Sequence, residues 1–432
     1  MKAFFKTYGC RVNQYETQAL RENLTQGNLM EVTEDFATAD LCVVNTCTVT
    51  EEADQDALRL IRKIGRRNPM AKVVVTGCLA SRDPQKILSE MPQAIVVGNK
   101  DKMSIPALIG CTSAPAPSSV TGLWGRSRAF VKIQDGCDMG CAFCIIPSIR
   151  PNLASKPFVD LENAIKGLVS RHCPEIVLCG IRLGRYLSED SAGRRVDFIG
   201  LLERLLAIPG DFRIRLSSLE ITDVTERFIS LFSRAGEKLA PSLHLPLQSG
   251  SEATLKSMGR WYTATFYRRR LEALRAKIPH CSVFSDVMAG FPGESEEEFN
   301  ASLDFIREMN FSGLHPFRYS SRPGTLAEKR KDHLNEKTIV HRSEILRSLD
   351  HELREKFALK SIGSVRRVVV EGRPGKPEGL CEDFLTVELN QYPGPSFAWV
   401  RVASASGITA KAEVLPGDIQ SEKTEVLASV LK

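Results

Sequence analysis

The chain has 432 residues, 43% hydrophobic and 25% charged, and 58 Lys and Arg against 52 Asp and Glu leave a formal charge of +6. This composition excludes intrinsic disorder, collagen and a coiled-coil rod, and about 150 residues per domain suggests about three domains. The 12 cysteines are not needed as staples in a chain able to bury several cores, and the mild positive bias favours anionic partners.

The start, MKAFFK, has no long apolar stretch followed by a small-residue cleavage site, and no run approaches the ~20 apolar residues of a spanning helix. The expectation is a cytoplasmic chain without a membrane partner. In reducing surroundings, patterned cysteines more often bind metal or do chemistry than form disulfides.

Residues 3–8, 41–46, 72–76 and 94–97 read as strands, with helical segments at 13–26, 51–67 and 83–90 between them. Gly27 is a candidate stop for the first helix. Strands alternating with helices imply a parallel sheet covered on both faces. Residues 111–122 (CTSAPAPSSVTG) read as a linker. A second alternating series places strands at 129–134, 175–179, 212–216, 242–245, 282–288 and 313–319, with helices such as 197–207, 224–234 and 263–277. Six such units fall short of a complete eight-unit barrel, so an incomplete (βα)6 barrel is expected. The charged stretch 329–360 reads as helical, and β-branched runs at 365–371, 384–389, 398–403 and 408–414 read as a small all-β appendage. The expected units are therefore 1–110, a linker over 111–127, 128–360 and 361–432.

Cys137, Cys141 and Cys144 form C-x3-C-x2-C in the loop after the first strand of the second series. Three thiolates so spaced can hold three irons of a [4Fe–4S] cube and leave the fourth open. Incidental cysteines or a zinc site are the alternatives, although structural zinc sites normally close with four ligands. Cys10, Cys47 and Cys78 each directly follow a predicted strand. Parallel strands would gather them along one carboxyl edge, where ligands of open α/β sheets collect, so they could hold a second cluster. Cys42, Cys173, Cys281 and Cys381 read as buried small hydrophobes; Cys179, ending a barrel strand, reads as packed although it could approach the cavity. The seven histidines show no zinc spacing, and His244 reads as packed rather than catalytic.

The C-x3-C-x2-C loop, with GIRLG at 180–184, SSLE at 217–220, PLQSG at 246–250 and DVMAGFPGE at 286–294, resembles the radical S-adenosylmethionine superfamily. The further phrases TYGCRVNQYET, VVNTCTVT and VVVTGC are similar to those of its methylthiotransferases. The likeness covers roughly residues 1–327 and thins after that; beyond Gly363 the tail resembles a TRAM domain only in its strand pattern. GCRVNQYET, RLSSLE and YSSRPGT look most like the branch that acts on N6-threonylcarbamoyladenosine at position 37 of tRNA; other branches act on isopentenyladenosine in tRNA or on a ribosomal-protein aspartate.

The resemblance implies two [4Fe–4S] clusters on the two cysteine sets, S-adenosylmethionine held near Gly180, Ser218, Glu220, Gln248, Ser249 and Gly290, and an external reductant and sulfur source. A two-cluster electron-transfer or RNA-binding protein without catalysis is the alternative of another class. The chain departs from the family phrase PxxRGxxRSR: Arg150 stays, Pro151 replaces Gly, and Ala154 and Lys156 replace arginines. Arg182 stands where His or Asn is more usual.

Arg59, Arg62, Lys63, Arg66 and Arg67 share one face of a predicted helix, a stripe expected for a phosphate backbone or, blandly, for a solvated face. Arg260-Trp261-Tyr262 and Phe266–Arg270 mix cations with aromatics, so Arg268 and Arg269 are further candidates for contact with tRNA.

Overall fold

The computed structural model describes residues 1–25, 30–111, 120 and 127–416. Gly27 and most of the expected linker lie outside them.

The first unit is a five-stranded, wholly parallel sheet of Lys2–Thr7, Glu31–Val32, Leu41–Thr46, Lys72–Gly77 and Ile95–Val97, in the order second, first, third, fourth, fifth. Its central strands are apolar at consecutive positions because both faces are covered. Cys42, Val44, Val73 and Val75 pack with Leu58, Ile61 and Ile64 of helix Glu51–Arg67. Leu41, Val43 and Val74 pack on the other face with Leu20 and Leu24 of helix Arg11–Thr25. Sequence reading missed the two-residue strand Glu31–Val32 and the short helix Cys78–Arg82.

The second unit is an open array of six parallel strands: Arg128–Asp135, Glu175–Gly180, Arg213–Leu216, Ser242–His244, Ser282–Ala289 and Gly313–Arg318. The third and fourth join through the pairings Ile214 with Leu239 and Ser218 with His244. The first strand pairs on its free side with the antiparallel Ala154–Ser155, so the barrel is incomplete, as expected. Alternate residues such as Ile133, Leu178, Leu216, Leu243 and Val283 pack outward under the helices. By alternation, Lys132, Gln134, Glu175, Cys179, Arg213, Arg215, His244, Asp286 and His315 face the lumen.

The tail after helix Glu336–Lys360 closes into a five-stranded barrel of Val365–Arg373, Lys376–Leu380, Thr386–Leu389, Phe397–Ser406 and Thr409–Val414. Lys376–Leu380 was missed because Pro377 and Gly379 argue against a strand; a tight hairpin pairing Arg373 with Lys376 forms it nonetheless. This small barrel seals the amino-terminal end of the six-strand array. Arg213 donates to the Arg367 carbonyl (2.9 Å), Arg215 to those of Cys381 (2.9 Å) and Glu382 (3.1 Å), and both hold the buried Glu175. Burial alone would raise the Glu175 carboxyl; Arg215 and Arg213 bring it down to about 2. Phe384 brings all three units together: its ring lies 5.4 Å from that of Phe284 and under the guanidinium groups of Arg215 (5.1 Å) and Arg11 (5.9 Å).

Candidate active site

The first cysteine set sits at the carboxyl end of Arg128–Asp135. Gly136 turns the chain there at φ 81°, and a Cβ would fall 2.0 Å from the Asn152 carbonyl oxygen, so only glycine passes. The Cys137 amide donates to the Arg150 carbonyl (3.1 Å), and the Ala142 amide to that of Met258 (2.9 Å). Arg260 donates to the Cys141 sulfur (3.1 Å) and pairs with Glu220. Burial pushes the Cys144 thiol up to about 12, with Cys141 and Cys137 adding to the rise. Among the described residues no three His, Cys, Asp or Glu side chains gather tightly enough for one metal ion.

The second set lies at the carboxyl edge of the five-stranded sheet. A Cβ on Gly9 would meet that of Cys47 at 2.7 Å, so glycine lets the Cys10 and Cys47 loops approach. Cys47 and Cys78 are buried and Cys10 is open to solvent. Burial raises the Cys47 thiol to about 12, with Cys78 and Cys10 adding to the rise. Asn13 donates to the carbonyls of Tyr8 and Thr46 (3.0 Å each), tying down the residues before Gly9-Cys10 and Cys47, and Asn99 reaches the Cys78 sulfur at 3.8 Å.

The two sets meet through Arg150. Its Nη1 donates to Glu16 Oε1 (3.0 Å) and Asp135 Oδ2 (2.7 Å); its Nη2 donates to Glu16 Oε2 (3.0 Å), Asn13 Oδ1 and Asn99 Oδ1 (3.2 Å each). A second bridge comes from the loop after the last barrel strand: Arg322, 1% exposed, reaches Thr48 next to Cys47 (3.2 Å), Glu51 (2.9 Å) and Asp54. Two departures from the family pattern, Arg182 and Lys156, find partners here. Arg182 donates to Met139 Sδ in the cysteine loop (3.0 Å) and pairs with Asp223, and Lys156 lies over the Tyr15 ring at 4.6 Å.

The residues expected near S-adenosylmethionine divide. Ser218 Oγ lies 2.6 Å from His244 Nδ1, and His244 Nε2 lies 2.9 Å from Asp286 Oδ1. His244 is therefore a polar lumen residue, not a packed one, which becomes visible only once strand alternation is fixed. Glu220 is held by Arg260. Gln248 has φ 69°, and its buried Oε1 accepts from no protein donor among the described residues. Gly180 packs on Gln134, Ser249 accepts from the Ser251 amide, and a Cβ on Gly290 would strike Ile339 at 2.6 Å. Cys42, Cys179, Cys281 and Cys381 are buried, as expected; Cys179 packs with Val12, Tyr15 and Phe130.

The basic stripe is thinner than its sequence. Arg59 pairs with Asp56, Arg62 with Glu90 (2.7 Å), and Arg268 with Glu308 through two bonds (2.8 and 2.6 Å). Lys63 lies over the Phe36 ring (5.5 Å). Arg66, Arg67 and Arg269 are exposed; the first two end a helix whose dipole favours cations there. Tyr262 and Tyr267 are core residues, while Trp261 is exposed.

Residues 2–98 match the family model described as uncharacterized protein family UPF0004, and residues 131–306 match the radical SAM superfamily. The chain is 36% identical to the threonylcarbamoyladenosine tRNA methylthiotransferase MtaB of Chlamydia pneumoniae over 85% of this chain and 86% of that one. It is 37% identical to the Bacillus subtilis protein of that name, over 85% and 84%. It is 32% identical to the tRNA-2-methylthio-N(6)-dimethylallyladenosine synthase of Nitrosospira multiformis, over 96% and 94%. Among solved structures, the radical S-adenosylmethionine methyltransferase TsrM from Kitasatospora setae superposes with a TM-score of 0.55 at 14% identity, over 76% of this chain and 77% of that one, a likeness of fold.

Proposed function

The chain belongs to the radical S-adenosylmethionine methylthiotransferases, and from that premise we propose that it converts N6-threonylcarbamoyladenosine at position 37 of tRNA to its 2-methylthio derivative. The observation that carries this reading is the pair of three-cysteine sets, each at the carboxyl edge of a parallel sheet and joined through Arg150. When bound, a [4Fe–4S] cluster on Cys137, Cys141 and Cys144 supplies the electron that cleaves S-adenosylmethionine, and one on Cys10, Cys47 and Cys78 supplies sulfur.

The chain's own residues bind, orient and shield. Arg260 fixes Cys141 and holds the Glu220 carboxylate beside it. Ser218, His244 and Asp286 offer hydrogen-bonding groups along one wall, and Gln248, whose amide donates to the Asp286 carbonyl (2.8 Å), offers a further acceptor beside them. The C-terminal barrel closes the far end of the lumen against water, which protects reactive species. Of the seven cations expected to meet tRNA, Lys63, Arg66, Arg67 and Arg269 are the ones left for its phosphates, and the C-terminal barrel is an RNA-binding module by its likeness in strand pattern to TRAM. An external reductant and sulfur source complete the reaction in a reducing cytoplasm; no described helix is long and apolar enough to cross a membrane.

A second reading keeps the chemistry and changes the base, because the Nitrosospira relative is named for dimethylallyladenosine. Mass analysis of tRNA nucleosides from a strain lacking this chain separates the two. Loss of 2-methylthio-N6-threonylcarbamoyladenosine supports the first reading; its persistence, with loss of another methylthio nucleoside, supports the second.

A further inference from the structure

Glu16 sits in a buried polar knot between the first two units. Its Oε1 accepts from Lys132 (2.7 Å) and Arg150 (3.0 Å), and its Oε2 from Arg150 (3.0 Å) and Lys102. Lys132 and Arg150 also hold Asp135 (2.7 Å each). Three cations thus share two carboxylates, an excess of one positive charge where Lys102 is 1% and Arg150 5% exposed. Buried charge without a counter-charge is costly, so a site built this way expects an anion.

The excess is aimed at one place. Asn99 accepts from Arg150 (3.2 Å) and reaches the Cys78 sulfur. Asn13 accepts from Arg150 (3.2 Å) and donates to the carbonyls before Gly9-Cys10 and Cys47. All three cysteine loops are therefore one side chain from the Arg150 guanidinium. Resting on the cluster assignment above, we propose that Lys102, Lys132 and Arg150 are positioning residues whose surplus charge compensates the thiolates of Cys10, Cys47 and Cys78 and raises the reduction potential of the cluster they hold. Each electron added makes a thiolate-bound cluster more negative, so a fixed positive surplus favours the reduced form.

The test is spectroelectrochemical, on the full reconstituted chain carrying Cys137→Ala, Cys141→Ala and Cys144→Ala so that only the second cluster contributes. Glu16→Gln enlarges the surplus and is expected to shift the midpoint potential upward. Arg150→Met and Lys102→Met each remove it and are expected to shift the potential downward. Lys102→Met makes the same charge change away from the Cys137 loop, so the test survives if Arg150→Met does not fold. Opposite signs are the signature, since damage to the fold alone would move all variants alike. A cluster signal with unchanged potentials, or with same-signed shifts, overturns the charge role; no second cluster signal in the parent protein overturns the ligand assignment itself.

Discussion

Arg150 and Glu16 form a two-pronged ion pair, 3.0 Å on each prong, across the boundary between the five-stranded sheet and the open barrel, with both side chains buried. The Arg150 backbone carbonyl meanwhile accepts the Cys137 amide at 3.1 Å. One residue therefore holds a loop of the first cysteine set and, through Asn13 and Asn99, the loops of the second.

Breaking a buried pair by removing one partner costs roughly 3–5 kcal/mol, because the other charge is left uncompensated. Arg150→Ala is accordingly expected to lower the melting midpoint of the full chain. Arg150→Lys keeps the charge but loses the planar fork that reaches Glu16, Asp135, Asn13 and Asn99 together. Its expected signature is uncoupling: 5′-deoxyadenosine still forms from S-adenosylmethionine while the methylthio nucleoside falls relative to it, read as the ratio of the two products.

The loop carrying Arg322 docks beside Cys47 through Glu51, Thr48 and Asp54. Arg322→Ala leaves Arg82 as the partner of Asp54 (2.9 Å) and frees the loop. Hydrogen exchange is expected to rise in residues 48–54 and 319–325 and to stay unchanged in the C-terminal barrel.

Acid should loosen the C-terminal seal. The Glu175 carboxyl is lowered from 4.5 to about 2 when folded. Its contribution is complete above about pH 4.5 and is lost as the pH falls toward 2. Between pH 5 and 3 the melting midpoint of the wild type is expected to fall more steeply than that of Glu175→Gln, which starts lower because Arg213 and Arg215 lose their counter-charge.

Much of the fold was legible because parallel strands buried on both faces read as short apolar runs. Leu41–Thr46 and helix Glu51–Arg67 fall where the sequence puts them. The cysteine sets were legible for the same reason, since each cysteine of the second set follows a strand. The rest depends on contacts between distant residues. Glu16 and Arg150 are 134 positions apart, and nothing local marks them as partners. Arg62 and Arg268 look free in sequence because Glu90 and Glu308 arrive from other helices. His244 could be assigned to the lumen only after its strand had neighbours on both sides.

That pairing redirects the RNA experiment. Reversing Lys63, Arg66 and Arg67 to Glu is expected to weaken tRNA binding. The slope of log affinity against log salt should fall by about one for each phosphate that is no longer neutralised. Arg268→Ala, which removes a cation already held by Glu308, is expected to change the slope little. Filter binding across a salt series reads both.

The most direct measurement is anaerobic incubation of the reconstituted chain with reductant, S-adenosylmethionine and tRNA bearing N6-threonylcarbamoyladenosine, with the nucleosides analysed by mass. The wild type should yield 5′-deoxyadenosine and the 2-methylthio nucleoside. Cys47→Ala should yield the first without the second, and Cys141→Ala neither. Absence of 5′-deoxyadenosine from the wild type, or methylthio product from Cys47→Ala, would contradict the division of labour between the two cysteine sets.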